Sequence, residues 1–418
     1  MSLKILILGI NFQPELIGIG KYTGEMVNWL AGNGYQCTVV TAFPYYPYWE
    51  IQAPYHGRIY KKELLQDGNI RIYRCPLYVP ARPTGVKRVL QDASFSLSSF
   101  LIIVYLLFKP KHDYIFCPAP PFQLGLLAIF YRFFKGGTLI YHVQDLQVDA
   151  AKELGLIKSP WFIQKLFNLE RFIINKADVL STISTGMIRK INKKTAKKVQ
   201  FLSNWVDIEQ FSPHDNFEAI RKEWGYSATD KIILYSGSIG EKQGFENLVT
   251  VAEKLQENSS VKFLISGSGP YKENLRRDVQ SANLTNVKFY PLQPLDKLNE
   301  FLNIADVHLV IQKSGAADLV MPSKLTTILA VGGLAVVTAE PGSSLYESVQ
   351  EFNMGIICEP DNPAALLKSI EWAISGDHKD VRSNARKYAE TYLSQNEVIS
   401  QFMSNLITQD SNGKSVNI

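Results

Sequence analysis

Short, almost unbroken apolar runs alternate with stretches of helical period along the first half of the chain. KILILGI (4–10), QCTVVTA (36–42), YIFCPAP (114–120), TLIYHVQ (138–144) and ADVLSTIS (177–184) read as strands. Continuous apolarity, rather than strict alternation, marks strands covered on both faces. Between them KYTGEMVNWLAGNG (21–34) and FQLGLLAIFYRFFKG (122–136) carry the helical period, and glycine stops the first. This rhythm predicts a parallel sheet with helices on both faces, linked by right-handed crossovers.

The rhythm restarts after residue 205. KIILYSGSI (231–239), VKFLISGSGP (261–270), VKFYPL (287–292), DVHLVIQ (306–312), LAVVTA (334–339) and MGIICEP (354–360) supply a second sheet, with FENLVTVAEKLQEN (245–258) as a helix. The expected architecture is α/β: two Rossmann-like, doubly wound parallel-sheet domains facing a cleft, ligands lying beyond the carboxyl ends of the strands. The boundary falls in FLSNWVDIEQFSP (201–213), giving domains 1–205 and 206–389. A helical segment near 390–408 is expected to return to the first domain, and the polar tail 408–418 to be disordered.

One run departs from this pattern. ASFSLSSFLIIVYLLF (93–108) has no charge for sixteen residues, follows Lys87 and Arg88, and precedes KPKH. A spanning helix needs about 20 apolar residues, so this run is expected to lie in a lipid interface with its basic flanks near phosphates. The alternatives are a core helix and a true span.

Charge sharpens that expectation. The 418 residues carry a net +5, but unevenly: 25 Lys and Arg against 14 Asp and Glu up to residue 210, and 19 against 25 beyond it. A basic first half implies an anionic partner. No nucleic-acid motif accompanies it, so an anionic membrane surface is expected. The four cysteines are scattered without a CxxC pair, which argues against a zinc site or disulfide framework and suits a reducing compartment. MSLKILILGI is too brief for a signal peptide. A cytoplasmic protein peripheral to the inner face of the plasma membrane follows as the expectation.

Candidate chemistry gathers in the loops after strands. In DLVMPSKLTTILAVGG (318–333), Pro322 and Ser323 suit a helix start and Gly332 and Gly333 its end. Lys324 then sits in the first turn, where a cation opposes the helix dipole unless an anion shares the place. NFQPELIGIGKYTGEM (11–26) holds Gly18 and Gly20 as a G-x-G. The glycines do not follow the strand immediately, which sets aside a nicotinamide or flavin cofactor. They still open a helix whose bare N–H groups can meet a ligand. YSGSIGEKQGFENL (235–248) surrounds Lys242 with glycines 237, 240 and 244, a cradle for a diphosphate. In FYPLQPLDKL (289–298), backbone groups near Leu292 and Gln293 can read a base edge. YHVQDLQVDAA (141–151) brings His142, Asp145 and Asp149 after a strand, to hold sugar hydroxyls or handle a proton; the alternative is that Asp145 and Asp149 cap the next helix. No second histidine at ligand spacing supports a metal, and no D-x-D occurs.

PELIGIGKYTGEM, ADVLSTISTGM, SNWVD, LISGSGP, NIADVHLVI and PSKL followed by ILAVGG, in that order, resemble the landmarks of the family 4 retaining glycosyltransferases, of GT-B type. IGEKQGFEN and GAADLVMPSKLTTILAVGG resemble more narrowly its WcaI/HepE-like exopolysaccharide branch. The resemblance implies metal-independent transfer of a sugar, with retention and without a cofactor. The donor, UDP-glucose by branch, is implied on the second domain; the acceptor, a saccharide or lipid-linked oligosaccharide, on the first. It further implies catalytic roles for Asp145, His142, Lys324 and Asp318. Gly18, Gly20, Ser238, Lys242, Gln243, Leu292, Gln293, Ser323, Thr326 and Thr327 are placed at the donor, and Tyr22 and Asp149 at the acceptor. Two departures stand out. The family's Glu-seven-Glu pattern becomes Asp318 with Thr326 or Thr327, and its phosphate-loop Arg and Lys become Ser238 and Gln243. Lys242 and Lys324 would then neutralise the diphosphate. A GDP-sugar (fucosyl) transferase, a nucleotide-sugar epimerase and a non-catalytic sugar-binding subunit are the alternatives.

Overall fold

A computed structural model describes residues 2–15, 18–81, 85–153, 157, 159–314 and 322–414. The chain divides into two compact units, Met1–Leu202 and Ser203–Ile418.

The first unit carries an eight-stranded sheet: β1 (Lys4–Leu8), β2 (Gln36–Ala42), β3 (Lys61–Leu65), β4 (Ile70–Cys75), β5 (Tyr114–Ala119), β6 (Thr138–Val143), β7 (Val179–Thr182) and β8 (Val199–Phe201). The spatial order is β3-β4-β2-β1-β5-β6-β7-β8. All pairings are parallel except β3 with β4. That antiparallel edge is absent from the apolar pattern above. KKELL is charged and mostly exposed, as an edge strand that must not recruit another strand should be.

The second unit holds β9 (Lys231–Ser236), β10 (Val261–Ser266), β11 (Val287–Tyr290), β12 (Val307–Val310), β13 (Ala335–Thr338) and β14 (Ile356–Cys358). They form an all-parallel sheet in the order β11-β10-β9-β12-β13-β14. Alternation shows how the apolar runs are used. Ile232 and Leu234 of β9 enter one core while Ile233 and Tyr235 enter the core on the other face.

The division at Leu202 lies within the expected boundary stretch. The C-terminal helix Gln395–Lys414 starts on the second unit: Val206 N–H donates to Leu393 O (2.8 Å) and Gln395 N–H to Val206 O (3.1 Å). Arg386 holds the segment after the boundary, donating to the carbonyls of Ile208 (3.1 Å) and Phe211 (2.9 Å).

The apolar run 93–108 lies in a 23-residue helix, Gly85–Leu107. Gln91, Phe95, Ser99, Ile103 and Leu106 form its buried stripe, and the three apolar members belong to the first unit's core. The opposite stripe, Val86, Leu90, Leu97, Leu101 and Tyr105, continuing to Phe108, is exposed. By length and composition this helix is apolar enough to cross a membrane, but its buried stripe ties it to the sheet.

Candidate functional site

In the second unit, β9 runs into the turn 237–240 and β10 into 267–269. Gly237 and Gly269 hold φ of +150° and +152°, a region other residues avoid. The two turns lie backbone to backbone. Gly237 N–H donates to Ser266 O (2.9 Å) and Ile239 N–H to Ser268 O (2.8 Å). A Cβ on Gly267 would stand 1.9 Å from Gly237 O, and one on Gly269 2.2 Å from Ile239 O. Only glycine permits this approach.

Lys324, second residue of the helix Ser323–Ala330, reaches the start of this turn. Its stem keeps some exposure, but Nζ is enclosed and has no hydrogen-bond partner among the described residues. It lies 3.5 Å from the centroid of the Tyr235 ring. A Cβ on Gly237 would meet Nζ at 3.0 Å, so that glycine also makes room for the ammonium. Tyr235 is fixed in turn, its hydroxyl donating to Ser238 O at 2.5 Å and its ring edge-on to Phe245. The π face offsets part of the charge. Burial without an acceptor still pushes the Lys324 amine down to about 7. An anion entering here would supply the missing acceptors.

The other expected donor residues fall around this point in different states. Lys242 is exposed in the short turn Glu241–Gln243, and its carbonyl accepts from Lys313 N–H (2.7 Å). Gln243 Oε1 accepts from Gly240 N–H (3.0 Å), so this side chain closes its own loop. Ser238 and Ser323 are exposed. Thr326 is buried and donates to Ser323 O (2.8 Å), whereas half-buried Thr327 donates to Lys324 O (2.9 Å). Burial thus corrects the expectation of a ribose contact from Thr326. Leu292 is exposed, and Gln293 donates to Pro291 O (2.9 Å). Asp318 lies outside the described residues. Lys313 was not anticipated; it pairs with Glu246 at 2.5 Å.

In the first unit the sequence expectations need more correction. His142 is a core residue of β6, its ring stacked on Phe116 and its Nδ1 3.0 Å from Ser181 Oγ. Burial holds it neutral, with its pKa down to about 3, so it is not placed to handle a ligand's proton. Asp149 shares Lys194 with buried Glu170, and is thereby engaged away from an acceptor. Tyr22 is buried in the helix Gly18–Gly32. Asp145 is half-buried on the loop after β6.

Gly20 has a packing reason: a Cβ there would lie 2.9 Å from Glu15 Oε2. Glu15, which sequence reasoning passed over, is buried and holds the loop after β2 through Tyr45 N–H (3.0 Å) and Tyr46 N–H (2.9 Å). Burial raises its pKa despite these bonds and one from Asn11 (2.8 Å). Gly18, at φ +63°, instead lines a cavity of about 290 Å³. The cavity opens at the carboxyl ends of β1, β2, β5 and β6, and the first turns of the helix Gly85–Leu107 close it with Arg88, Gln91 and Asp92. One sequence signal marked it: Asp92 is the sole acidic residue of that helix.

Residues 18–205 match the glycosyl transferase 4-like domain, and residues 216–392 the family described as glycosyl transferases group 1. The chain is 41% identical to the putative colanic acid biosynthesis glycosyl transferase WcaI of Escherichia coli K12, over 97% of this chain and 100% of that one. Sucrose-phosphate synthase from Thermosynechococcus elongatus superposes with a TM-score of 0.74 at 16% identity, covering 99% of this chain and 100% of the other. HepE from Anabaena, solved in complex with UDP-glucose, gives a TM-score of 0.69 at 14% identity, covering 97% and 100%. The two sheets are those of the GT-B fold.

Proposed function

The chain belongs to the group 1 glycosyl transferases, with a glycosyl transferase 4-like amino-terminal domain, and from that premise we propose that it transfers a hexose, with retention, from UDP-glucose to a lipid-linked saccharide in exopolysaccharide assembly. The pathway is supported by the relative's name, and the donor by the UDP-glucose in HepE. One observation carries the chemistry: an enclosed ammonium, unpartnered among the described residues, at the mouth of two interlocked glycine turns.

In this reading Lys324 receives the diphosphate as the glycosidic bond breaks. Charge develops on the leaving oxygen, and a lysine in a poorly hydrated site, charged as the diphosphate binds, stabilises it more than water does. The N–H groups at the start of the helix Ser323–Ala330 add to that field. The acceptor hydroxyl attacks from the leaving-group face and passes its proton to a diphosphate oxygen. Lys242 and Lys313 stand at the far end of the turn, joined by the bond from Lys313 N–H to Lys242 O.

Replacing Lys324 with Ala should lower turnover by about 10²–10³-fold, the usual loss for a charge-stabilising donor. Lys324→Arg should retain part of it. Unchanged turnover in Lys324→Ala would remove the residue from the site. A panel of UDP- and GDP-sugars scored for slow donor hydrolysis identifies the donor.

The lipid-linked acceptor rests on the exposed stripe of the helix Gly85–Leu107. Leu97 is 72% and Phe108 83% exposed, with Lys87, Lys109 and Lys111 at the flanks. Phe133 and Phe134, also exposed, adjoin it through ring contacts of Phe100 with Phe130 (5.3 Å) and Phe130 with Phe134 (5.0 Å). Apolar side chains with basic neighbours suit a peripheral site on an anionic leaflet.

A further inference from the structure

The cavity of the first unit is built as no solvent-filled crevice needs to be. Gln91 is only 2% exposed, yet its Nε2 has no hydrogen-bond partner among the described residues. A buried carboxamide left unpaired costs free energy, and a ligand acceptor would remove that cost. Asp92 stands beside it, half-buried. Gln147 Nε2 donates to its Oδ2 at 3.2 Å, while Gln147 Oε1 accepts from Phe122 N–H at 3.1 Å, so the carboxamide is held from both ends. No lysine or arginine forms a salt bridge with Asp92 among the described residues; Gln123 hydrogen-bonds its carboxylate alongside Gln147 and Arg88 attracts it, and with about four lone-pair sites the carboxylate keeps acceptor capacity beyond these. Three aromatic side chains, Tyr45, Tyr46 and Trp49, line the same cavity. Trp49 packs edge-on to Tyr46 (6.1 Å) and beneath the Arg88 guanidinium (5.2 Å), which fixes its plane.

Aromatic side chains lining one cavity with a carboxylate and a carboxamide match a pyranose ring, with C–H groups on one face and hydroxyls at its edge. A bare phosphate would not seek a carboxylate, and an alkyl chain would not satisfy Gln91. We propose that this cavity is a pyranose subsite for the acceptor, in which Asp92 accepts from a ring hydroxyl, Gln91 Nε2 donates to a sugar oxygen, and Trp49 packs on the C–H face. The pair Gln91–Asp92 therefore selects the acceptor's hydroxyl pattern. The proposal rests on the transferase reading for the word acceptor, but the sugar site itself does not.

Saturation-transfer difference NMR on the full chain, with the methyl pyranosides of glucose, galactose, mannose and fucose, tests this. At least one should bind wild type. Its affinity should fall about tenfold in Asp92→Asn and in Gln91→Leu, equivalent to about 1.4 kcal/mol each. Trp49→Ala should abolish it. UDP binding by calorimetry serves as the folding control and should not move. If UDP binds and no pyranoside does, or if the variants bind like wild type, the subsite is overturned. Displacement of the pyranoside by uridine would overturn it too, by showing a nucleoside site. If a pyranoside binds with this dependence while no nucleotide sugar does, the transferase reading fails and the subsite stands.

Discussion

At the residue scale, Lys324 has opposed effects on folding and on binding. Its amine titrates near 7 in the fold against 10.5 for an ordinary lysine, because burial disfavours the charged form. Between those values the unfolded chain binds the extra proton, so this contribution to stability rises with pH, by roughly 1.4 kcal/mol per unit, and the penalty is fully present below about 7. Lys324→Met should therefore stabilise the free protein at pH 7 by roughly 2–4 kcal/mol, and the gap should close by pH 10, as denaturant melts at several pH values will read. A bound diphosphate reverses the preference and favours the ammonium. Binding of UDP at pH 8 should take up about one proton, and at pH 6 close to none. Calorimetry in buffers of different ionisation enthalpy measures that uptake, and its persistence in Lys324→Met would assign it elsewhere. The lysine was legible because it broke a local rule, a cation in a first helical turn. His142 was not, since a histidine beside two carboxylates in sequence says nothing about which face of a buried strand it occupies.

At the element scale, the helix Gly85–Leu107 shows what periodicity can and cannot tell. Its apolar run announced a helix, but apolar residues all round hide which stripe is buried. Packing decides: Phe95, Ile103 and Leu106 enter the core, and Leu97 and Leu101 do not. Leu97→Asp with Leu101→Asp should leave the thermal midpoint and donor hydrolysis unchanged. Sedimentation with phosphatidylglycerol vesicles should drop at least tenfold, since each fully buried leucine is worth about 1.5–3 kcal/mol. Wild-type binding should weaken with added salt, as the Debye length shrinks from about 10 Å at 0.1 M to about 3 Å at 1 M. Equal sedimentation of the double variant would refute lipid contact by this stripe. The same helix held the site signal that apolarity masked. Gln91 and Asp92 precede the uncharged run, and their pairing with Tyr46, Trp49 and Gln147 is made by loops from distant strands. Strand β3 escaped because an edge strand is selected for charge, and β4 because its IRIYRC interleaves two arginines with the apolar residues.

At the scale of the molecule, the restart of the strand rhythm after residue 205 was legible because each sheet needs its own apolar runs. The second sheet has cores on both faces, drawn from residues 206–393. Its boundary segment is fastened by Arg386 and by the Val206–Leu393 bonds, all within Ser203–Ile418. Lys324, Tyr235 and both glycine turns also belong to this unit. Every residue named in the anion site belongs to this unit, and residues 203–418 should fold alone. This fragment should unfold cooperatively and bind UDP within about threefold of the full chain, a difference below 1 kcal/mol, while Lys324→Ala should weaken binding by the same factor in both. Calorimetry on the two proteins decides the point. A loss of affinity beyond tenfold in a folded fragment would mean that the first unit supplies part of the nucleotide site.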